Sequence, residues 1–258
     1  MLDEIVSKTE ERLIEAYKNK SLDELMDNVS KLEINDEFPF KEALKDSEIA
    51  IIAEVKKASP SKGVIAEDFD YINIAKEYEQ AGASAISVLT EPYFFKGSND
   101  YLKEISENVS IPILRKDFII DEYMIYESKL LGASAILLIV SILDIVQLKK
   151  YLDLAHDLGL SAIVETHDAN EIRTAMNVGA EIIGVNNRNL ADFTVDIENS
   201  ISLRRCVSDN ILFVSESGIK TKEDVTRLKE NNVDAVLIGE TLMKSDDKKS
   251  LISELKNG

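Results

Sequence analysis

The sequence predicts an α/β chain: a closed (β/α)8 barrel with an N-terminal helical extension. Three observations lead there. From Ile49 onward, short runs rich in Val, Ile and Leu alternate with longer amphipathic segments, eight times over about 210 residues. The helix ends share a pattern: Ala-Gly-Ala-Ser-Ala-Ile at 81–86, Leu-Gly-Ala-Ser-Ala-Ile at 131–136 and Val-Gly-Ala-Glu-Ile-Ile at 178–183, with Asn-Asn-Val-Asp-Ala-Val at 231–236. Gly or Asn stops each helix, and small residues turn the chain tightly into the next strand. Finally, the first turn, Lys57-Ala-Ser-Pro-Ser-Lys-Gly63, lacks the G-x-G-x-x-G of an open doubly wound sheet.

Before the repeat, residues 2–18 place Leu2, Ile5, Val6, Leu13 and Ala16 on one helical stripe. Ser21-Leu-Asp-Glu24 reads as a capping box opening a second helix to about Val29, and Pro39-Phe40 leads into one helical turn at 40–44. This extension, residues 1–48, is assigned no chemistry. The barrel takes 49–258, and the whole chain is expected to form one domain. Its strands are expected at 49–55, 85–89, 111–115, 135–140, 161–165, 182–185, 212–215 and 235–238. The helices between them are expected at 71–81, 100–108, 122–131, 142–158, 169–178, 195–206 and 222–231, with a last one from Thr241 onward.

Composition narrows the function. With 45% apolar residues in 258, the chain can bury a full core. Its net charge of −18 is spread along the sequence, which argues against nucleic acid and anionic membranes but leaves anionic small molecules open. The single cysteine, Cys206, excludes an internal disulfide and a thiolate cluster, and His156 and His167 cannot by themselves hold zinc. No apolar run approaches a membrane span and no signal-type segment opens the chain. The expectation is a reduced, soluble, cytoplasmic monomer that uses no metal and no cofactor.

In such a barrel the working residues sit at the carboxyl ends of the strands. The first strand runs Ile51-Ile-Ala-Glu-Val-Lys56, so Glu54 and Lys56 share a face while Lys57 turns away. A lone pair of this kind is as often a plain salt bridge as a site. The later strands, however, end in Thr90-Glu91, Arg115-Lys116-Asp117-Phe118, Glu165, Asn186-Asn187-Arg188, Glu216-Ser217-Gly218 and Gly239-Glu240. That many polar ends converging on one opening favour a site. Lysines among carboxylates suit proton transfer, whereas no activated serine, cysteine or metal set is present. Gly218 and Gly239, helped by Ser59 and Lys56, are placed to hold a phosphate; for either glycine alone a plain tight turn is the less favoured reading. Pro60, Phe95, Phe118, Leu137 and Leu190 are expected to line a flat apolar pocket that, with Arg188, suits an aromatic carboxylate. His167 is expected to face away from Glu165 in a supporting or loop position, and Lys62 to stay solvated. Glu240 would repel a phosphate and is expected to turn aside.

These stretches, in order, resemble the indole-3-glycerol-phosphate synthase family. The most specific are Ala53-Glu-Val-Lys-Lys-Ala-Ser-Pro-Ser-Lys-Gly63 and Pro112-Ile-Leu-Arg-Lys-Asp-Phe118, joined by Ser87-Val-Leu-Thr-Glu91, Phe95-Lys-Gly-Ser98, Val164-Glu-Thr-His167, Ile183-Gly-Val-Asn-Asn-Arg-Asn-Leu190 and Ser215-Glu-Ser-Gly-Ile219. The resemblance implies a TIM barrel that closes the indole ring of 1-(2-carboxyphenylamino)-1-deoxyribulose 5-phosphate with loss of CO2 and water. It implies Lys116 as general acid, with Glu54 and Lys56 supporting it and Lys56 available for the dehydration. Glu165 would act as acid/base, Asn186, Glu216 and Ser217 would orient the substrate, and Gly218, Gly239 and Ser59 would hold its phosphate. Two other functions fit the residues less well. An isomerase acting on the same kind of anthranilate-bearing sugar would need a cysteine on the first strand and an aspartate on the fifth, where Glu54 and Glu165 stand. A non-catalytic ligand-binding barrel would have no use for a buried acid/base set.

Overall fold

The computed structural model describes residues 1–45, 48–66, 68–189 and 193–256. The barrel strands are β1 (Ala50–Val55), β2 (Ala85–Leu89), β3 (Ile113–Lys116), β4 (Ala135–Ile139), β5 (Ser161–Thr166), β6 (Ile182–Asn186), β7 (Leu212–Glu216) and β8 (Ala235–Ile238). Each pairs in parallel with its sequence neighbours, and β1 closes the barrel on β8 with Ala50 opposite Ala235. The helices are α1 (Leu2–Asn19), α2 (Leu22–Val29), α3 (Pro39–Lys45), α4 (Tyr71–Gln80), α5 (Asn99–Ser106), α6 (Glu122–Leu130), α7 (Ile145–Asp157), α8 (Ala169–Asn177), α9 (Glu198–Arg204), α10 (Lys222–Glu230), α11 (Glu240–Met243) and α12 (Lys248–Lys256). No described helix is long and apolar enough to cross a membrane.

Period-two alternation splits the strand residues between two apolar layers. Ile51, Ala53, Val55, Ile86, Val88, Val164 and Val185 face the surrounding helices, whereas Ile52, Leu114, Leu137, Ile163, Val214 and Leu237 fill the barrel interior. Four strands begin with alanine on the interior face: Ala50, Ala85, Ala135 and Ala235. Those small residues leave room for Phe40 and Leu44 of α3, both buried in the same cluster, which plug the end of the barrel opposite the mouth.

The structure departs from the sequence reading in a few places. The helix expected at 142–158 is two elements: a 3-10 turn at Val140–Ile142, then α7, capped by Asp144 and Gln147 in a reciprocal box. The helix expected at 195–206 starts only at Glu198, because Val195 bridges back to Arg188. The last helix is divided into α11 and α12, and the first loop contains a small antiparallel hairpin pairing Ala58–Ser59 with Gly63–Val64.

The extension is also tied to the barrel mouth more closely than its sequence indicates. Arg12 of α1 grips Asp117, the residue after β3, through two hydrogen bonds of 2.8 and 3.1 Å. Asp117 is buried and also accepts from the Thr90 hydroxyl and the Phe118 amide. Behind it the buried Arg115 donates to Thr90, Ser128, Asn99, Glu127 and the Met124 carbonyl. Burial disfavours the Asp117 carboxylate, but Arg12 and Arg115 outweigh it and hold its pKa below the ordinary 3.8.

Arg12→Ala leaves a buried carboxylate short of one partner, so it should destabilise the fold by about 1–3 kcal/mol in urea denaturation. Because the native pKa is depressed, the Asp117 contribution is complete above the ordinary aspartate value and is lost as pH falls through the native one. The stability difference between wild type and variant should therefore narrow in acid.

Candidate active site

The interior face that is apolar in the lower barrel turns polar at its last rung. Glu54, Lys116, Glu165 and Glu216 keep the inward parity of Ile52, Leu114, Ile163 and Val214 and open into a cavity of about 530 Å³. All four are largely buried, so each charge must find a partner. Lys116 Nζ donates to Glu165 Oε2 at 2.9 Å and to Glu216 Oε2 at 2.6 Å. Glu54 Oε1 pairs with Lys56 Nζ at 2.6 Å on the neighbouring wall.

Two inward positions in this rung are glycine, for a steric reason. A Cβ on Gly184 would lie 2.3 Å from Glu216 Oε1, and one on Gly239 would lie 2.2 Å from Glu54 Oε1. The missing side chains make the space in which the carboxylates lie.

The electrostatics are uneven. Burial disfavours the Lys116 ammonium, but Glu165, Glu216 and Glu54 outweigh it and raise its pKa above the ordinary lysine value, so the group is a cation throughout neutral pH. Burial also works against both of its carboxylate partners. For Glu165 it is overcome by Lys116 and His167, and the pKa falls below the ordinary value. For Glu216 burial prevails over Lys116, the negative charge of Glu165 adds to it, and the carboxyl is pushed up to about 7. The hydrogen bonds agree: Glu165 Oε1 also accepts from Asn186 Nδ2 at 3.3 Å, whereas Glu216 Oε1 is buried without a hydrogen-bond partner among the described residues.

Around this centre the structure gathers the other expected positions. Ser59 and Pro60 from the first loop, Phe95, Phe118 and Leu137 line the same cavity. The Phe95 and Phe118 rings stand 6.1 Å apart. Glu91 fixes the Phe95 loop, its carboxylate accepting from the amides of Tyr93, Phe94 and Phe95. Asn186, Arg188, Ser217, Gly218 and Gly239 complete the far wall. Ser217 and Gly218 are consecutive left-handed residues, at φ of +68° and +89°. Asn187 secures that turn by donating to the Ser217 carbonyl at 3.0 Å. Leu190 lies outside the described residues.

Outside the central set, Lys57 turns away and places its ammonium over the Phe69 ring, while Lys62 is half exposed. Glu240 swings to Lys244 at 2.7 Å, with Lys62 at 3.8 Å. His167 is a correction. Residues two apart share a face, and its ring does face Glu165, with Nε2 3.6 Å from Oε1. The sequence reading also gave no role to Met1, Leu2 and Ile5, which form part of the cavity wall. Gly184 was missed as well, although a glycine inside a buried strand does signal close approach.

Comparisons with known proteins follow the same outline. The family model described as Indole-3-glycerol phosphate synthase matches residues 2–255. Proteins of that name from Ruminiclostridium cellulolyticum and Lacticaseibacillus casei are 52% and 55% identical over 256 residues, spanning 99% of this chain and 98% of theirs. Among solved structures, the 3-hexulose-6-phosphate synthase of Salmonella typhimurium superposes with a TM-score of 0.66 at 16% identity, covering 81% of this chain and 97% of its own. At that identity the likeness speaks for the barrel fold alone.

Gly184→Ala tests the packing of the carboxylate rung. Its methyl group also meets Ile163 Cγ2 at 2.8 Å, so Glu216 cannot stay where it is. The variant should lose about 1–3 kcal/mol of stability in chemical denaturation, as overpacked cores do. A fully stable variant would show that the glycine is not needed to seat Glu216.

Proposed function

The chain belongs to the indole-3-glycerol phosphate synthase family, and from that premise we propose how its barrel mouth performs the chemistry. It is an enzyme of tryptophan biosynthesis that forms indole-3-glycerol phosphate. Its substrate, 1-(2-carboxyphenylamino)-1-deoxyribulose 5-phosphate, must form a carbon–carbon bond between the ring carbon bearing the carboxylate and the sugar ketone. The ketone oxygen takes a proton as that bond forms. CO2 then leaves and returns its electron pair to the ring. The new hydroxyl departs as water with a second proton, and a base removes the neighbouring C–H proton.

The observation that carries the assignment of roles is the Lys116 ammonium, held between Glu165 and Glu216 on the cavity floor. In this reading Lys116 gives its proton to the ketone oxygen, and the buried positive charge stabilises the oxyanion as it develops. Glu165, the better ionised of the two carboxylates, takes the C–H proton and restores Lys116. The Glu54–Lys56 pair supports the charge from the side, and Lys56 assists departure of the hydroxyl. Asn186, Glu216 and Ser217 orient the substrate. Phe95, Phe118, Pro60 and Leu137 sandwich its aromatic ring, and Arg188 meets its carboxylate.

Phosphate binding is assigned to the turn at Ser217-Gly218 and the start of α11 at Gly239, with Ser59. Backbone amides at such points are ready anion donors. With Glu240 engaged by Lys244 and Lys62, its charge is compensated near that site. We take residues 1–258 as one domain, with 1–48 the helical extension and 49–258 the barrel. We further take it to act as a cytoplasmic monomer on this phosphorylated small molecule, without a cofactor.

Lys116→Ala should lower turnover by on the order of 10²–10⁴-fold while largely retaining affinity for the phosphorylated ligand. Indole fluorescence follows product directly, and the chain has no Trp to obscure it. Near-normal turnover in this variant would remove Lys116 from the acid role.

A further inference from the structure

His167 is a partly buried titratable group that the chemistry above leaves without a task. Its ring stands between two carboxylates, with Nε2 3.6 Å from Glu165 Oε1 and Nδ1 3.1 Å from Glu171 Oε2. Glu171 is itself fixed. The same Oε2 accepts the His167 amide at 2.7 Å, and the Glu171 amide donates to Asp168 at the start of α8. A neutral imidazole has one donor and one acceptor nitrogen. Nδ1 meets Glu171 at hydrogen-bond distance, whereas Nε2 makes no hydrogen bond among the described residues and acts on Glu165 through charge, as the imidazolium flanked by two carboxylates.

The consequence falls on the two carboxylates that share Lys116. Each receives one short hydrogen bond from Nζ, so the lysine does not distinguish them. Their other oxygens differ. Glu165 Oε1 has Asn186 Nδ2 at 3.3 Å and His167 at 3.6 Å, while Glu216 Oε1 rests against Gly184 without a donor among the described residues. Asn186 is neutral, so the positive charge that favours Glu165 comes from His167, while the Glu54 carboxylate acts against Glu216.

We propose that His167, held as an imidazolium by Glu171, is a positioning residue that fixes the negative charge on Glu165 and leaves the proton to Glu216. It rests on the catalytic reading only for its effect on turnover, since the base that takes the C–H proton must be ionised beforehand. The charged groups facing this pair are Lys116 from β3, Glu216 from β7, Glu54 from β1 and Glu171 from α8. Burial works against the His167 cation, but Glu171 and Glu165 outweigh it and raise its pKa.

His167→Gln removes the cation while keeping a polar side chain. The titration of the Glu165 carboxyl, followed by 13C NMR of the folded protein without substrate, should move up by about one unit, the usual effect of losing a nearby opposite charge. An acid whose pKa rises is ionised only at higher pH, so the acidic limb of the kcat profile should shift upward by the same amount. Turnover near neutrality should change little, whereas turnover on the acidic side should fall with KM little changed, and raising the pH should restore it. A merely structural defect would not recover with pH. Glu171→Gln should move the same limb in the same direction by less, which keeps the proposal testable if the histidine variant fails to fold. An unmoved Glu165 titration overturns the proposal. Because the NMR arm needs no turnover, failure of the catalytic reading is seen separately: a moved titration with an unmoved kcat limb upholds the His167 role and removes Glu165 from the base role.

Discussion

One ammonium shared by two buried carboxylates is the constraint around which the mouth of this barrel is built. Placed alone on a barrel floor, Lys116 would lose its proton to escape desolvation, and Glu165 or Glu216 alone would gain one. Together they keep a cation in a site largely closed to water, where its field acts on a substrate with little screening. The arrangement carries one carboxylate more than the lysine can satisfy, and the structure resolves the surplus by treating the two acids differently.

Much of the surrounding architecture serves that centre. The inward parity of each strand delivers the charged rung, and Gly184 and Gly239 leave space beside it for carboxylate oxygens. Arg12 and Arg115 clamp Asp117, the residue next to Lys116, which ties α1 to the end of β3. The N-terminal segment therefore helps to build the site: its first residues wall the cavity, and its arginine steadies the strand that carries the acid. α3 closes the other end of the barrel with Phe40 and Leu44.

The eight strands were legible in the sequence because short β-branched runs and repeated Gly-Ala junctions are local signals, and all eight lie within two residues of their expected ends. The polar strand ends were legible for the same reason, since strand parity is a local property. What the sequence could not display was partnership across the fold. Nothing near Arg12 announces a contact more than a hundred residues away, and nothing in the order of Lys116, Glu165 and Glu216 says that they meet. The break before α7 is different, because its capping residues Asp144 and Gln147 were present in the sequence and were overridden by the longer apolar pattern. His167 was misplaced although its spacing from Glu165 already set it on the inward face.

If the two acids do divide their roles, Glu216 should still carry its proton where an ordinary glutamate has long lost it. The direct measurement is the infrared carbonyl band of a protonated carboxyl, assigned by its absence in Glu216→Gln and followed with pH. The band should persist until it titrates at about 7. Its disappearance around the ordinary value of 4.5 would mean that both carboxylates are ionised against a single lysine, contrary to the charge arrangement described for this site.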